Sequence, residues 1–231
     1  YIPEKRKSDL QRWSDGSPWK GTSHIFEVVV HGCPLRFYLG RQELKTQLRE
    51  FFPKQWQKSG PEEEMIQIYW RPPFDPIGWD EMESPNCFFI DSFICQRDFL
   101  AKKRSEKSYE LMALENLDDG LFNFLRFLLP QLLLKKNKIL FHSSCVLDEN
   151  EQAYLFFGPS GAGKTTLASL CDAKVLGDDM NILSLTPQGV FVEGAALGQR
   201  IFDPKHLGPS YSLNRAFWLV QDSKNHHSLQ G

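Results

Sequence analysis

Nine consecutive residues constrain this chain more than any other stretch: Gly158-Pro159-Ser160-Gly161-Ala162-Gly163-Lys164-Thr165-Thr166. They follow a short apolar run, Tyr154 to Phe157, and lead into an apolar helical stretch ending near Leu170. Gly158 to Thr165 fills every fixed position of the pattern G-x-x-x-x-G-K-[ST]. With glycine at ordinary frequency, such a match arises by chance in about one chain in a hundred of this length. A strand, a bent loop and a helix in that order belong to a mixed α/β fold.

The residue types explain what such a loop holds. A triphosphate needs many donors packed around it, and side chains are too bulky to supply them all. Small residues let successive backbone N–H groups turn inward and form an anion nest. The helix that starts at the end of the loop adds its unpaired amides. Gly158, Ser160, Gly161, Ala162, Gly163, Lys164, Thr165 and Thr166 are therefore the nucleotide-binding candidates. Lys164 is placed to reach the β- and γ-phosphates, and the Thr165 hydroxyl to ligate Mg²⁺.

Asp178 and Asp179 close the next predicted strand, Lys174 to Leu176, only fourteen residues after Lys164. That interval accommodates a short helix and a return strand, so both strand ends should open on one edge of the sheet, where ligands of α/β sheets bind. Two carboxylates beside a triphosphate have two natural tasks. One holds the metal, and the other accepts a proton from an attacking hydroxyl. His142 precedes the loop by sixteen residues, on the strand expected from Ile139 to Leu147. Taken alone, such a histidine is an ordinary core or surface residue.

The N-terminal half is less distinctive. His24 to Leu39 reads as a hairpin broken at Gly32 and Pro34, Gln42 to Phe52 as a helix, and Met65 to Trp70 as a strand. Residues 71–86 read as a loop, Phe88 to Cys95 as one strand and Tyr109 to Leu114 as another. Leu121 to Leu134 is the longest apolar stretch. Arg126 and Pro130 interrupt it, and it falls short of the ~20 residues that span a bilayer. It is expected to be a buried helix that kinks or restarts at Pro130, capped by Asp118 or Asp119. Asn181 to Leu185 and Val190 to Val192 flank Thr186-Pro187-Gln188-Gly189, a hairpin turn, and Asn214 to Val220 reads as a last strand.

Net charge is −2 over 231 residues, which recommends neither nucleic acid nor an anionic membrane as partner. The basic stretch over residues 1–60 and the acidic Glu62, Glu63 and Glu64 read as solvated surface. Five cysteines without a C-x-x-C pair argue against a disulfide framework or a zinc knuckle, so a reducing cytoplasm is expected. The chain begins at Tyr1 rather than Met and breaks off at Gly231, as a trimmed or truncated chain would.

In the order histidine, tight turn, strand, GPSGAGKTT, short helix, strand and aspartate pair, Leu140 to Leu183 resembles the HPr kinase/phosphorylase family and related bacterial serine kinases. These share a nucleotide-binding core with phosphoenolpyruvate carboxykinases. The close spacing from loop to aspartates carries the resemblance more than the loop does. It implies a P-loop kinase core over residues 118–231, with residues 1–117 forming an N-terminal α+β region of unknown role. It implies ATP and Mg²⁺, with Lys164, Asp178 and His142 in catalysis. Asp178 would be the base, Thr165 and Asp179 would be on the metal, and His142 would lie near the transferred phosphoryl group. The acceptor it implies is a serine of a protein or peptide. HPr kinase relatives often form rings, so a homo-oligomer is among the arrangements it allows.

One departure is informative. HPr kinases carry a glutamate-x-arginine-glycine element after the aspartates, tied to their carrier protein and to phosphorolysis. Here the comparable stretch is Val192-Glu193-Gly194-Ala195. Arg200 and Arg215 are the arginines that could replace the missing one. HPr itself and phosphorolysis are therefore not expected. A full carboxykinase is not expected, since it needs a much longer chain with further arginines and metal ligands. Two rival readings use the same loop. One is a nucleotide-binding regulatory or interaction module with little turnover. The other is a kinase for a small molecule such as free serine, or a simple NTPase, with residues 71–86 or 198–210 lining a groove.

Overall fold

The structure is a computed structural model, and it describes residues 8, 10–13, 23–73, 88–90, 92–114, 119–171, 174–197 and 207–220. The chain divides into two units, Tyr1–Leu132 and Leu133–Gly231. Each is built on a seven-stranded mixed sheet, and the class is mixed α/β.

In the first unit, strands β1 (His24–Val30) and β2 (Cys33–Leu39) alternate apolar and polar residues. One set of side chains, Phe26, Val28, Leu35, Phe37 and Leu39 among them, is buried. The two strands form the expected hairpin. His31 and Gly32, both at positive φ (48° and 81°), make its two-residue turn. Pro34 does not break the second strand; it pairs with Val29 inside it. Helix α1 (Gln42–Phe51) buries Leu44 and Leu48 and carries the chain to β3 (Ile66–Arg71), which pairs parallel to β2.

The expected strand from Phe88 to Cys95 is two strands. These are β4 (Phe88–Ile90) and β5 (Phe93–Gln96), an antiparallel pair with Ile90 opposite Phe93. A strand that sequence reasoning missed, β6 (Phe99–Ser105), lies between β5 and β7 (Ser108–Ala113). The sheet order is β1-β2-β3-β7-β6-β5-β4. Helix α2 (Asp119–Leu134) is a single helix through Pro130. It buries Leu121, Phe124, Leu125, Leu128 and Leu129, with the Phe124 ring edge-on to Phe99 and Tyr109. Asp118, residues 74–86 of the expected loop, residues 198–206 of the second expected loop and Arg200 lie outside the described residues.

Near the start of the chain, residues 10–13 are helical. Trp13 is fully buried, its indole N–H donating to the Glu110 carboxylate, which also pairs with Arg104.

In the second unit the strands are β8 (Lys138–His142), β9 (Ser144–Leu147), β10 (Ala153–Phe157), β11 (Lys174–Gly177), β12 (Met180–Thr186), β13 (Gly189–Gly194) and β14 (Tyr211–Trp218). Their order is β11-β9-β10-β14-β13-β12-β8. Only β10 and β14 pair parallel. The expected strand from Ile139 to Leu147 is interrupted at Ser143, and β11 and β12 are likewise one run interrupted at Asp178 and Asp179. These two runs lie side by side, with His142 opposite Met180 before the break and Cys145 opposite Gly177 after it. Each therefore passes from one half of the sheet to the other at the same height. Cys145, Leu147, Leu155, Leu176 and Val192 form the core beneath. Among the described residues no helix is long and apolar enough to cross a membrane.

Candidate functional site

The topology fixes where the loop and the aspartates meet. Strand β9 lies between β10 and β11 and runs antiparallel to both. Hence β10 and β11 point the same way and end on one edge. The loop after Phe157 and the break after Gly177 both emerge there. The short interval in the sequence is spanned by α3 (Lys164–Leu170).

The loop backbone has the curvature that its glycines permit. Gly161 and Gly163 sit at φ +81° and +90°, a region L-residues rarely adopt. Gly158, at φ +154°, is constrained differently. A Cβ there would lie 2.6 Å from the carbonyl oxygen of Leu219. That residue is itself tied down, since its N–H donates to Phe157 O at 2.7 Å. The first helical hydrogen bond runs from Leu167 N–H to Gly163 O at 2.8 Å. The amides of Gly163 to Thr166 therefore have no acceptor within the helix. Lys164 is only 6 % exposed, and its ammonium folds back across the loop to donate to Gly158 O and Pro159 O, both at 3.0 Å. Ser160 and Gly161 are exposed at the loop's crest, and Thr165 and Thr166 are exposed on the first helical turn.

Thr165 connects this loop to the acids. Its hydroxyl donates to the carbonyl of Asp178 at 3.3 Å, and the Ser144 hydroxyl reaches the same oxygen at 2.9 Å. The two aspartates differ in setting. Asp178 is 2 % exposed, whereas the Asp179 side chain is 35 % exposed. Asp179 Oδ1 lies 3.1 Å from Nε2 of His142, whose side chain is 49 % exposed. The structure thus brings Lys164, Thr165, Asp178, Asp179 and His142 to one sheet edge.

Among the described residues, no three His, Cys, Asp or Glu side chains cluster in a way that could hold a metal ion. Asp179, with His142 beside it and the Thr165 hydroxyl nearby, offers a partial set. Mg²⁺ ordinarily takes one or two carboxylates and completes its shell with waters and phosphate oxygens. The residues present fit such an ion together with a bound polyphosphate, not as a self-sufficient cage.

Several neighbours escaped sequence reasoning. Asn181 is fully buried and donates from Nδ2 to Ser143 O at 2.7 Å, with Ser143 Oγ at 3.2 Å and Gly177 O at 3.4 Å. Nothing local in the sequence distinguishes it from any polar strand residue. Glu193, noted for the arginine that does not follow it, is buried and pairs with Lys138, with the Ser184 hydroxyl on the same oxygen. Arg215 lies on β14 opposite Tyr154, near the start of β10 rather than at the loop end. Cys145 is buried, and burial pushes its thiol up to about 12.

Comparison with known proteins falls on the same segment. The phosphoenolpyruvate carboxykinase family model matches residues 114–196. The phosphoenolpyruvate carboxykinase (ATP) of Campylobacter jejuni strain 81-176 is 36 % identical over 105 residues, covering 45 % of this chain and 19 % of that protein. The protein of the same description from Leptospira biflexa is 35 % identical over 105 residues, with the same two shares, 45 % and 19 %. That from Bacillus subtilis strain 168 is 39 % identical over 83 residues, covering 36 % of this chain and 15 % of that protein. The chain thus spans about a fifth of the length of the curated relatives it matches. Of the families grouped by the sequence resemblance, the carboxykinases are the one these comparisons support. The matched stretch contains the loop, the aspartate pair and His142, so the likeness is one of the site and its supporting strands.

Proposed function

We propose that this chain binds ATP with a divalent metal at the Gly158–Thr166 loop and transfers the terminal phosphoryl group to an oxygen acceptor, a serine hydroxyl of a protein or peptide. The observation that carries the reading is the meeting of loop and acids, with Thr165 hydrogen-bonded to Asp178 O and Asp179 beside His142. In this reading the loop amides and Lys164 hold the β- and γ-phosphates, Lys164 leaving the two loop carbonyls it now contacts. Asp179 and the Thr165 hydroxyl hold Mg²⁺, which when bound neutralises charge on the phosphate oxygens. Asp178 takes the hydroxyl proton as the acceptor oxygen bonds to the γ-phosphorus and the bond to the ADP oxygen breaks. His142 keeps Asp179 oriented and lies next to the migrating group.

A second reading is favoured by one specific observation, that the matching relatives are named as carboxykinases. In it the acceptor oxygen belongs to the enol of pyruvate, and the same residues hold the same phosphates.

Transfer of label from γ-labelled ATP separates the readings. Serine-bearing peptides and free serine are offered as acceptors, ADP with labelled phosphoenolpyruvate is offered in a parallel reaction, and each is run with wild type, Asp178→Asn and Asp179→Asn. The proposal expects labelled phosphoserine from wild type. It expects none from Asp178→Asn, which should still bind ATP, and transfer by Asp179→Asn only at raised Mg²⁺ concentration, since a metal ligand is lost. Labelled ATP formed from phosphoenolpyruvate and ADP, with no labelled serine, would select the second reading. Tight Mg-ATP binding with no transfer to any acceptor would leave a nucleotide-binding regulatory module.

A further inference from the structure

We infer that Asn181 is a positioning residue that sets the separation between His142 and the aspartate pair, and so the metal response of the site. The inference rests on the reading of this edge as a metal–nucleotide site.

Along the paired runs Lys138–Leu147 and Lys174–Thr186 the backbone ladder is regular up to His142 opposite Met180, and resumes with Cys145 opposite Gly177. Between these points it is largely replaced by side chains. Ser143 N–H still reaches Asp179 O at 3.0 Å. The carbonyl of Ser143, however, is satisfied by Asn181 Nδ2, and that of Asp178 by the hydroxyls of Ser144 and Thr165. Asn181 joins the two runs from its own side chain, reaching Ser143 on the facing run and Gly177 on its own. Those are the residues next to His142 and next to Asp178. Its NH₂ group is therefore a cross-tie at the point where the ladder gives way.

The other end of the same amide indicates what the tie is for. Asn181 Oδ1 is buried and has no hydrogen-bond partner. Leaving a buried acceptor unpaired is unfavourable. The opposite flip of the amide would aim the oxygen at two carbonyls, so the orientation is set by the donors. An apolar residue would avoid the orphaned oxygen, yet asparagine stands here. The placement is accounted for if holding the two carbonyls in this separation matters more than local satisfaction. Displacing a reacting or ligating group by about 1 Å can cost on the order of a hundredfold.

The test uses a fluorescent ATP analogue and the whole chain, with affinity measured in chelator and again with Mg²⁺ or Mn²⁺. The variants are Asn181→Leu, which removes donor and orphaned acceptor together, and Asn181→Ala, which does so without added volume. The ratio of the two affinities is read on folded protein, so a loss of stability does not mimic the effect. The expected result is metal-free affinity within about twofold of wild type, with the metal-induced gain reduced about tenfold or more, a loss of about 1.4 kcal/mol. Adding Asp179→Asn to Asn181→Leu should cause no further loss, since both act on one ligand. An unchanged metal-induced gain in the Asn181 variants, or an equal fall of both affinities, overturns the inference. Absence of any metal-induced gain in wild type would instead overturn the reading of the site itself, and leave Asn181 nothing to position.

Discussion

Gly158 and Gly163 should fail in different ways when each is replaced by alanine, although the chemical change is the same. At Gly158 the added methyl meets a backbone oxygen 2.6 Å away, at a φ of +154° that side chains rarely adopt. The oxygen belongs to Leu219, whose amide is bonded to Phe157, so neither partner can retreat without opening that bond. Strain of about 1–3 kcal/mol for the backbone and about 1–3 kcal/mol for the overpacking gives about 2–6 kcal/mol. That is a large share of the 5–15 kcal/mol that typically holds a domain together. At Gly163 the methyl meets nothing within 4 Å, and only the left-handed backbone at φ +90° is penalised, by about 1–2 kcal/mol. The space it enters belongs to the loop where phosphate is proposed to bind. Urea unfolding followed by circular dichroism should therefore rank Gly158→Ala well below Gly163→Ala in stability. Titration with ATP should show Gly163→Ala folded but weakened in binding. Equal stability of the two variants, or full ATP affinity in Gly163→Ala, would refute the geometric argument.

Three further outcomes follow from the packing. Iodoacetamide at pH 8 followed by peptide mass spectrometry should label the partly exposed Cys171 well ahead of Cys145. The Cys145 thiol, at about 12, has roughly one part in ten thousand as thiolate at that pH. Because its folded value lies above the ordinary 9.0, the neutral thiol's contribution to stability is intact below pH 9 and is lost as pH climbs toward 12. Trp13→Phe keeps a ring against Phe93 but removes the donor to the buried Glu110 carboxylate. It should cost about 1.5–3 kcal/mol in urea unfolding, and a loss under 0.5 kcal/mol would show that Arg104 suffices for Glu110.

The parts of this protein that were legible in the sequence are those with a local physical cause. The loop needs glycine where φ is positive, and the strand–loop–helix order around it follows from hydrophobic patterning. The spacing from Lys164 to Asp178 limited the return path enough to place both ends on one edge. The hairpins at His31-Gly32 and Thr186 to Gly189 were likewise marked by their turn residues. What escaped was set by distant partners. Phe88 to Cys95 is divided only by the polar pair Asp91-Ser92, with no glycine or proline, so its two antiparallel strands were easily read as one. Strand β6 begins apolar and ends Lys-Lys-Arg-Ser, an order that matches no alternation and makes sense only against β5 and β7. No glycine or proline marks the interruption at Ser143, because it exists to match the interruption in the neighbouring run. Asn181 is invisible for the same reason.

The paired interruptions divide the second unit's sheet into two plates, joined by the interrupted runs and by β14, which pairs with β10 in one and β13 in the other. The Gly158–Thr166 loop is rooted in one plate, at the end of β10. His142 and Asp179 sit at the interruptions, where the runs cross between the plates. In the proposed reading, grip on the polyphosphate and alignment of the groups that act on it thus fall to different pieces of the same sheet.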